Sequence, residues 1–154
     1  MKRNGFSLPE ILIVIAIMGI LMAIAGLSYN AWMSKYRLEG QVREMYADLM
    51  NARVRAMQRN LDHFMDVTSG SYNVREDSDD DGNPDTDVLL PKLHNFPSSV
   101  TTTVTLNKRG LVSASPEDTI TFNTGGVNAV FDCLVLAPTR IRMGRLNGTT
   151  CVSQ

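Results

Sequence analysis

The sequence predicts an α+β fold in which one long N-terminal helix packs on a small antiparallel β head. No proline interrupts the chain between Glu10 and Pro84, and apolar residues recur at three- and four-residue steps up to about residue 60. Short, alternating, β-branched segments separated by turn residues follow. A long helix followed by a run of strands is typical of an α+β domain. With 154 residues, the chain fits one domain on a stalk and not two domains.

The N-terminal part of the predicted helix is long enough to cross a membrane. Lys2 and Arg3 precede an uncharged run from Ile11 to Ser34. As an α-helix this run would be about 36 Å long, which exceeds a hydrocarbon core of about 30 Å. The two basic residues would hold the N-terminus on the cytoplasmic side. We therefore expect a single transmembrane helix over residues 6–34, with the head in the periplasm.

The order of the N-terminal features differs from that of a secretory signal peptide. The polar junction lies before the apolar run, and no Ala-x-Ala site closes the run. The segment Gly5-Phe6-Ser7-Leu8-Pro9-Glu10 closely resembles the processing site of type IV pilins and type II secretion pseudopilins. This resemblance implies that residues 1–5 are a leader removed by prepilin peptidase. Cleavage would fall between Gly5 and Phe6, and Phe6 would be N-methylated.

Glu10 places a carboxylate at the edge of the apolar run. An unpaired charge costs about 2.5 kcal/mol or more at the bilayer centre and less near the interface. Two interpretations are open: an interfacial carboxylate that stays outside the hydrocarbon, or one that finds a positive partner when helices pack together. In pilins the matching Glu is thought to pair with the N-terminal amine of a neighbouring subunit. The resemblance therefore favours a pair with the amine of Phe6.

Position 27 indicates which kind of pilin the sequence resembles. Many major pilins carry a helix-breaking proline seventeen residues after the acidic residue, where this chain has Leu27 preceded by Gly26. Gly weakens a helix by about 1 kcal/mol relative to Ala but does not break it. We expect a more continuous helix than in a major pilin, which favours a minor pilin or pseudopilin.

Residues 35–60 are predicted to continue the helix in amphipathic form. Charged residues from Lys35 to Arg59 occupy one face, and the opposite face is expected to form the core under the head, residues 61–154. The predicted core positions, which begin within the apolar run, are Trp32, Tyr36, Val42, Met45, Tyr46, Leu49, Met50, Val54, Met57, Leu61 and Phe64.

The head is predicted to contain short antiparallel strands. Turns are expected at Asn107–Gly110, Ser115-Pro116 and Gly125-Gly126. The C-terminal half, with Gly125-Gly126-Val127, Thr139–Arg145 and a terminal cysteine, resembles GspH/FimT-type pseudopilins. The predicted strands are Val100–Leu106, Leu111–Ala114, Thr119–Phe122, Ala129–Leu136 and Arg140–Arg145.

Cys133 and Cys151 are predicted to form a disulfide, because an exported head lies where disulfides persist. The bridge would close a loop of nineteen residues, worth about 3 kcal/mol in the chain-entropy model. The alternative is two free buried thiols. A metal site needs more ligands than two cysteines.

The segment Glu76–Asp87 carries seven acidic residues and resembles a calcium loop. The carboxylates occupy positions 1, 3, 5 and 9 around a glycine at position 6, and Ca²⁺ prefers six to eight such oxygen ligands. Position 12 is Val88, so the set is incomplete. The alternative is a solvated acidic loop. No cofactor is required, and Ca²⁺ is the one ligand considered, with the candidate ligands Asp77, Asp79, Asp81, the Asn83 carbonyl, Asp85 and Asp87.

The C-terminal tail carries Arg140, Arg142 and Arg145 and no acidic residue from Leu134 onward. Strand alternation would place Arg140 and Arg142 on one face. DNA-uptake pilins of the FimT type use a Gly-Arg-x-Arg motif in this region, but here Thr139 replaces the glycine. The net charge of −1 also gives a thin electrostatic footprint for nucleic acid. Arginines that solubilise a strand or pair with a neighbouring subunit are the favoured interpretation.

The sequence gives no support for catalysis. His63 and His94 lie outside any recognisable nucleophile or metal motif, and glycine-rich phosphate loops are absent from the sequence. We therefore expect a structural minor pilin or pseudopilin of a type IV pilus or type II secretion pseudopilus, and not an enzyme. The expected partners are other pilins, prepilin peptidase, the inner-membrane assembly platform and, before assembly, membrane lipid. A DNA-binding minor pilin is the alternative, and a plain membrane-anchored periplasmic protein is a third interpretation.

Overall fold

A computed structural model describes residues 7–113 and 118–154, with side chains for all of these except residues 24–28. The chain divides into two compact units, Met1–Ser34 and Lys35–Gln154. Helix α1, Leu8–Arg59, ends within about one residue of the predicted end near residue 60. The strands in the described residues are β1 His63–Val67, β2 Ser71–Glu76, β3 Thr86–Leu93, β4 Thr102–Leu106, β5 Val112–Ser113, β6 Asp118–Thr121, β7 Cys133–Leu136, β8 Ile141–Asn147 and β9 Thr150–Ser153.

Helix α1 begins with a polar cap in the first unit. The carbonyl of Ser7 accepts hydrogen bonds from the backbone N–H groups of Glu10 (3.1 Å) and Ile11 (3.3 Å). The Glu10 carboxylate in turn lies 3.5 Å from the Ser7 N–H. Ser7 and Glu10 thus take the positions of a capping box, with the carboxylate at the long limit of a hydrogen bond. Pro9 lies in the first turn, where an N–H needs no partner within the helix.

Apolar side chains surround α1 from Ile11 to Met22. From Ile11 to Met22, each large apolar side chain is between 48% and 72% exposed. Such a surface is characteristic of a helix that is covered by another apolar environment. Measured by length and hydropathy together, no helix in the described part of the chain qualifies as a membrane span.

In the second unit, α1 buries one narrow stripe against the head. The predicted core positions Val42, Met45 and Leu49 lie in it. The prediction was wrong for a group of positions that are about half exposed, because it merged two neighbouring rows of the helix surface. These positions are Trp32, in the first unit, and Tyr36, Val54 and Met57 in the second. The buried stripe, which repeats at four- and three-residue steps, is Leu38, Val42, Met45, Leu49, Ala52 and Ala56.

The head contains two antiparallel sheets. The first has the order β3-β2-β1-β4-β5, and the second has the order β6-β7-β8-β9. Strand β4 pairs with β1, so the chain crosses from the edge strand β3 to the far side of the β1–β2 hairpin. Register shifts between β2 and β3 mark bulges in this edge strand.

Both sheets contribute inward-facing side chains to one core with the α1 stripe. The β4–β5 region and the second sheet are joined by a bond from the Val112 N–H to the Pro138 carbonyl (2.9 Å). An isolated bridge between Ser98 and Phe122 joins the β3–β4 connection to the end of β6. The strand and loop residues of this core are Met65, Val67, Tyr72, Val74, Val104, Leu106, Val112, Ile120, Phe122, Ala129, Leu134, Leu136 and Ile141.

The predicted strands are present with shifted boundaries. The predicted strand over Ala129–Leu136 is reduced to β7, because residues 129–132 form a loop. The predicted Arg140–Arg145 strand begins and ends later, as β8. Ala114 and the Ser115-Pro116 turn lie outside the described residues. The other two turns are present, and Gly110, Gly125 and Gly126 all have positive φ.

Strands β1, β2, β3 and β9 were not predicted. Phe64, in β1, continues the spacing of the apolar helix face, although it lies beyond the predicted helix end near residue 60. Asn60 follows the last helical residue, with a positive φ of 54° that is typical of a residue just after a helix.

Candidate functional site

The predicted N-terminal site is only partly described. Gly5 and Phe6 lie outside the described residues, so cleavage and methylation remain predictions. Glu10 lies in the first turn of α1 and is exposed, with one long contact to the Ser7 N–H. Exposed apolar side chains of α1 lie on both sides of it in the sequence, at Leu8 and from Ile11 onward. Because this contact is long, most of the hydrogen-bond acceptor capacity of the Glu10 carboxylate is available to a partner.

The disulfide between Cys133 and Cys151 is confirmed. Cys133 is buried in β7 and Cys151 is half-buried in β9, and both strands pair with the intervening strand β8. The two Cα atoms lie 6.1 Å apart. Strands on either side of a third strand are normally about 9.5 Å apart. The second sheet therefore curls strongly here, and the bridge crosses over β8.

Gly144 leaves the space through which the bridge crosses β8. It pairs with Cys133 on one side and with Ser153 on the other. A Cβ atom at Gly144 would lie 2.7 Å from the Val152 carbonyl oxygen and 2.8 Å from Cys151 Sγ. Both distances are far below van der Waals contact. A residue with any side chain at position 144 therefore conflicts with the bridge.

The acidic loop brings three of the six predicted calcium ligands together. One oxygen each of Asp77, Asp79 and Asp85 lies within 4.8 Å of the others. The Asp77 carboxylate is buried and accepts hydrogen bonds from the N–H groups of Asp81 (3.1 Å) and Gly82 (2.8 Å). Backbone N–H groups thus already use part of the acceptor capacity of the Asp77 carboxylate.

Further predicted calcium ligands, Asp85 of this cluster included, accept hydrogen bonds from protein groups. Asp81 accepts the Asn83 N–H (2.8 Å), and Asp87 accepts from Asn73 Nδ2 within the β2–β3 pair (3.2 Å). Asp85 accepts from both the N–H and the hydroxyl of one serine, Ser78, each at 2.9 Å.

The electrostatics of the loop reflect crowded carboxylates. The pKa of Asp79 is raised by desolvation and by the charges of Asp81 and Asp85. The hydrogen bonds from Ser78 lower the pKa of Asp85. A neighbouring cation, Lys108, forms an ion pair with Asp80 at 2.5 Å. Calcium binding stays a prediction, with Asp77, Asp79 and Asp85 as its remaining side-chain ligands.

The three tail arginines are exposed and do not share one face. Arg142 and Arg145 are three residues apart in β8, so their side chains leave opposite faces of the sheet. Arg145 donates to Asn128 Oδ1 (2.5 Å). Arg140 closes the β7–β8 hairpin, with its backbone bonded to Ala137 in both directions. Strand alternation therefore still places Arg140 and Arg142 on one face, opposite to Arg145.

Two buried polar residues on α1 were missed by sequence reasoning. Glu39 accepts the Val130 N–H (2.9 Å) and so holds the loop before β7. Gln41 binds the chain that follows β3. Each lies beside the buried stripe, next to Leu38 or Val42. Their helical position is the one property of the sequence that distinguishes them from the exposed charged residues.

Two family models match the chain. The prokaryotic N-terminal methylation motif matches residues 1–26. The model of the type II transport protein GspH matches residues 41–153, which is more than two thirds of the chain. The chain belongs to the GspH family. No curated protein and no solved structure matches it.

Membership confirms the resemblance to GspH/FimT-type pilins that the N-terminal motif and the C-terminal half indicated. The chain is a type IV pilin or pseudopilin subunit, and both matched families consist of structural subunits. These families imply assembly with other pilins and processing by prepilin peptidase. The long helix α1 and the antiparallel strands of the head form a pilin-like α+β fold.

Proposed function

We propose that this GspH-family chain is a minor structural subunit of a type IV pilus or a type II secretion pseudopilus, incorporated through its N-terminal helix. The observation that carries this proposal is the surface of α1 in the first unit. Glu10 is followed by large apolar side chains on every face of the helix up to Met22, each of them about half exposed or more. The methylation motif covers this same segment, residues 1–26.

The mechanism is an exchange of apolar surroundings. Before assembly, the apolar segment is held in the inner membrane with the head on the periplasmic side. In the filament, neighbouring apolar helices replace the lipid. Lipid tails are as apolar as these side chains, so the exchange gives little hydrophobic free energy and association depends on close packing and polar contacts. The polar contact then has a large influence on which register is chosen.

Glu10 supplies that contact in the proposal. Its cap contact at 3.5 Å satisfies the carboxylate weakly. An apolar environment makes an unpaired carboxylate costly. A partner that carries a positive charge, such as the methylated amine of Phe6 on the next subunit, removes that cost in one register alone. The pair therefore favours correctly placed subunits over slipped ones.

Substitution of Glu10 tests the proposal. Glu10→Val makes the helix more apolar, so the variant should still be cleaved after Gly5 and remain with the membrane fraction. It should be missing from sheared filaments. Glu10→Gln keeps the size and polarity of the side chain and removes the charge, so it should be depleted to a similar degree. Wild-type incorporation of both variants would show that no charge pair sets the register.

A further inference from the structure

The amide of Gln41 holds the chain that follows β3 against α1. Gln41 is buried, and its Oε1 accepts the N–H groups of Asn95 (2.8 Å) and Phe96 (3.0 Å). Its Nε2 donates to the Phe96 carbonyl (2.8 Å). Interchanging oxygen and nitrogen would set an NH₂ group against two N–H groups and a carbonyl against a carbonyl. These three bonds therefore fix the orientation of the amide.

That orientation decides the tautomer of His94. Gln41 Nε2 lies 3.1 Å from His94 Nδ1. An amide NH₂ can only donate, so Nδ1 must accept and the neutral ring must carry its hydrogen on Nε2. The imidazole stacks on Tyr72 at a centroid distance of 5.5 Å and packs against Phe122 at 5.6 Å, with the two ring planes 74° apart. His94 Nε2 is buried and has no hydrogen-bond partner among the described residues.

A proton on His94 Nδ1 would oppose this arrangement. It would direct an N–H group at the NH₂ group of Gln41, so that two donors would face each other with no acceptor between them. Burial lowers the pKa of His94, and the backbone groups of Thr68 and Ser71 only partly oppose that shift. The contact between Gln41 Nε2 and His94 Nδ1 therefore requires the neutral imidazole.

The charged groups near this site are already paired. From α1, Glu44 and Asp48 both bind Lys92 Nζ, at 2.8 and 2.7 Å. From β2, the Tyr72 hydroxyl donates to Asp48 Oδ2 (2.7 Å). Lys92 and Tyr72 thus take up much of the negative charge that would otherwise favour a protonated His94.

The residues that Gln41 holds belong to the connection between β3 and β4, which joins the parts of the head. Within it, Ser98 donates its N–H to the Ser69 carbonyl (3.2 Å), and Ser99 donates to the Thr121 carbonyl (2.8 Å). The connection therefore touches α1, the β1–β2 turn and the second sheet. Its release would loosen three elements together.

We propose that Gln41 and neutral His94 form an acid-sensitive latch that holds the β3–β4 connection on α1, and that protonation of His94 releases it. The pKa of His94 is lower in the latched state than in the released state. The latch is therefore fully closed above the ordinary histidine pKa of about 6.5 and weakens as the pH falls below it. The open fraction should rise about tenfold per pH unit until the pKa of the latched state is reached.

Nuclear magnetic resonance on the full-length protein in detergent micelles tests the latch. Long-range nitrogen–proton correlations should show His94 as the Nε2–H tautomer at neutral pH. Between about pH 7.5 and about pH 5, the exchange protection factors of the Asn95 and Phe96 amides should fall as His94 titrates. An Nδ1–H tautomer, or unchanged protection while His94 gains its proton, would overturn the proposal.

Three variants separate the latch from general acid sensitivity. His94→Phe keeps an aromatic ring and removes the titration, so protection at Asn95 and Phe96 should no longer depend on acid. Gln41→Glu offers an oxygen to His94 Nδ1, so the pKa of His94 should rise, even though the bond to the Phe96 carbonyl is lost. His63→Gln removes the other imidazole and should leave the acid dependence intact. The latch would be contradicted if protection at Asn95 and Phe96 still depended on acid in His94→Phe. It would also be contradicted if that acid dependence disappeared in His63→Gln.

Discussion

Replacing Gly144 with alanine should disrupt the disulfide that crosses strand β8. The added Cβ would lie 2.7 Å from the Val152 carbonyl oxygen and 2.8 Å from Cys151 Sγ. The first neighbour is backbone in a paired strand, and the second belongs to the bridge. Neither can move away without breaking the β8–β9 pairing or the disulfide.

The expected loss of folding stability depends on whether the disulfide still forms in Gly144→Ala. If the bridge survives, the overpacking costs about 1–3 kcal/mol. If it does not form, the chain loses about 3 kcal/mol of loop-closure stabilisation. The melting temperature of a domain of this size falls by about 2–4 °C per kcal/mol. We therefore expect Gly144→Ala to melt about 2–12 °C lower than the wild type, with a larger fraction of free thiols at Cys133 and Cys151.

Calorimetry and thiol alkylation under non-reducing conditions measure both effects. Gly70→Ala is the matched control, because nothing lies within 4 Å of a Cβ at Gly70, a turn residue without positive φ. It should retain the wild-type melting temperature and a complete disulfide. A Gly144→Ala protein that is fully oxidised and as stable as this control would refute the steric reasoning.

The two untested ligand sites give further predictions. If the acidic loop binds Ca²⁺ at about 0.1–1 mM, millimolar Ca²⁺ should raise the melting temperature more than Na⁺ of equal ionic strength. Asp77→Asn should abolish that rise and Asp87→Asn should retain it, since Asp87 binds Asn73. If Ca²⁺ does not raise the melting temperature of the wild type, the segment is a solvated acidic loop. For DNA, the divided arginines predict weak binding, and Arg142→Ala should change it by less than about twofold at physiological salt. A salt-dependent affinity that Arg142→Ala removes would favour the DNA-uptake alternative.

The elements with a strong periodic pattern could be predicted from the sequence. The absence of proline and the sustained three- and four-residue spacing of apolar residues predicted one long helix and its end to within about one residue. The disulfide followed from the compartment that the N-terminal motif implies, although its path across Gly144 did not. That path depends on the curl of the second sheet, which no local pattern of residues encodes.

The missed features depend on tertiary context. Strands β1 and β2 are short and carry charged residues such as Asp66 and Arg75, which pair with each other on the sheet (2.5 Å). Their alternation is therefore weaker than that of the threonine-rich β4. Gln41 resembles any surface glutamine until the backbone of residues 95 and 96 is placed against it. The calcium prediction counted ligand spacing but not the backbone N–H groups that compete for the same carboxylates.

The intact mass of the protein recovered from sheared filaments tests the proposed subunit role most directly. The role predicts a chain that has lost Met1–Gly5, begins at Phe6 and carries one added methyl group. The same mass should be absent from filaments made with Glu10→Val. An unprocessed chain that starts at Met1, or a processed chain confined to the membrane fraction while filaments assemble without it, would contradict the role as an incorporated subunit.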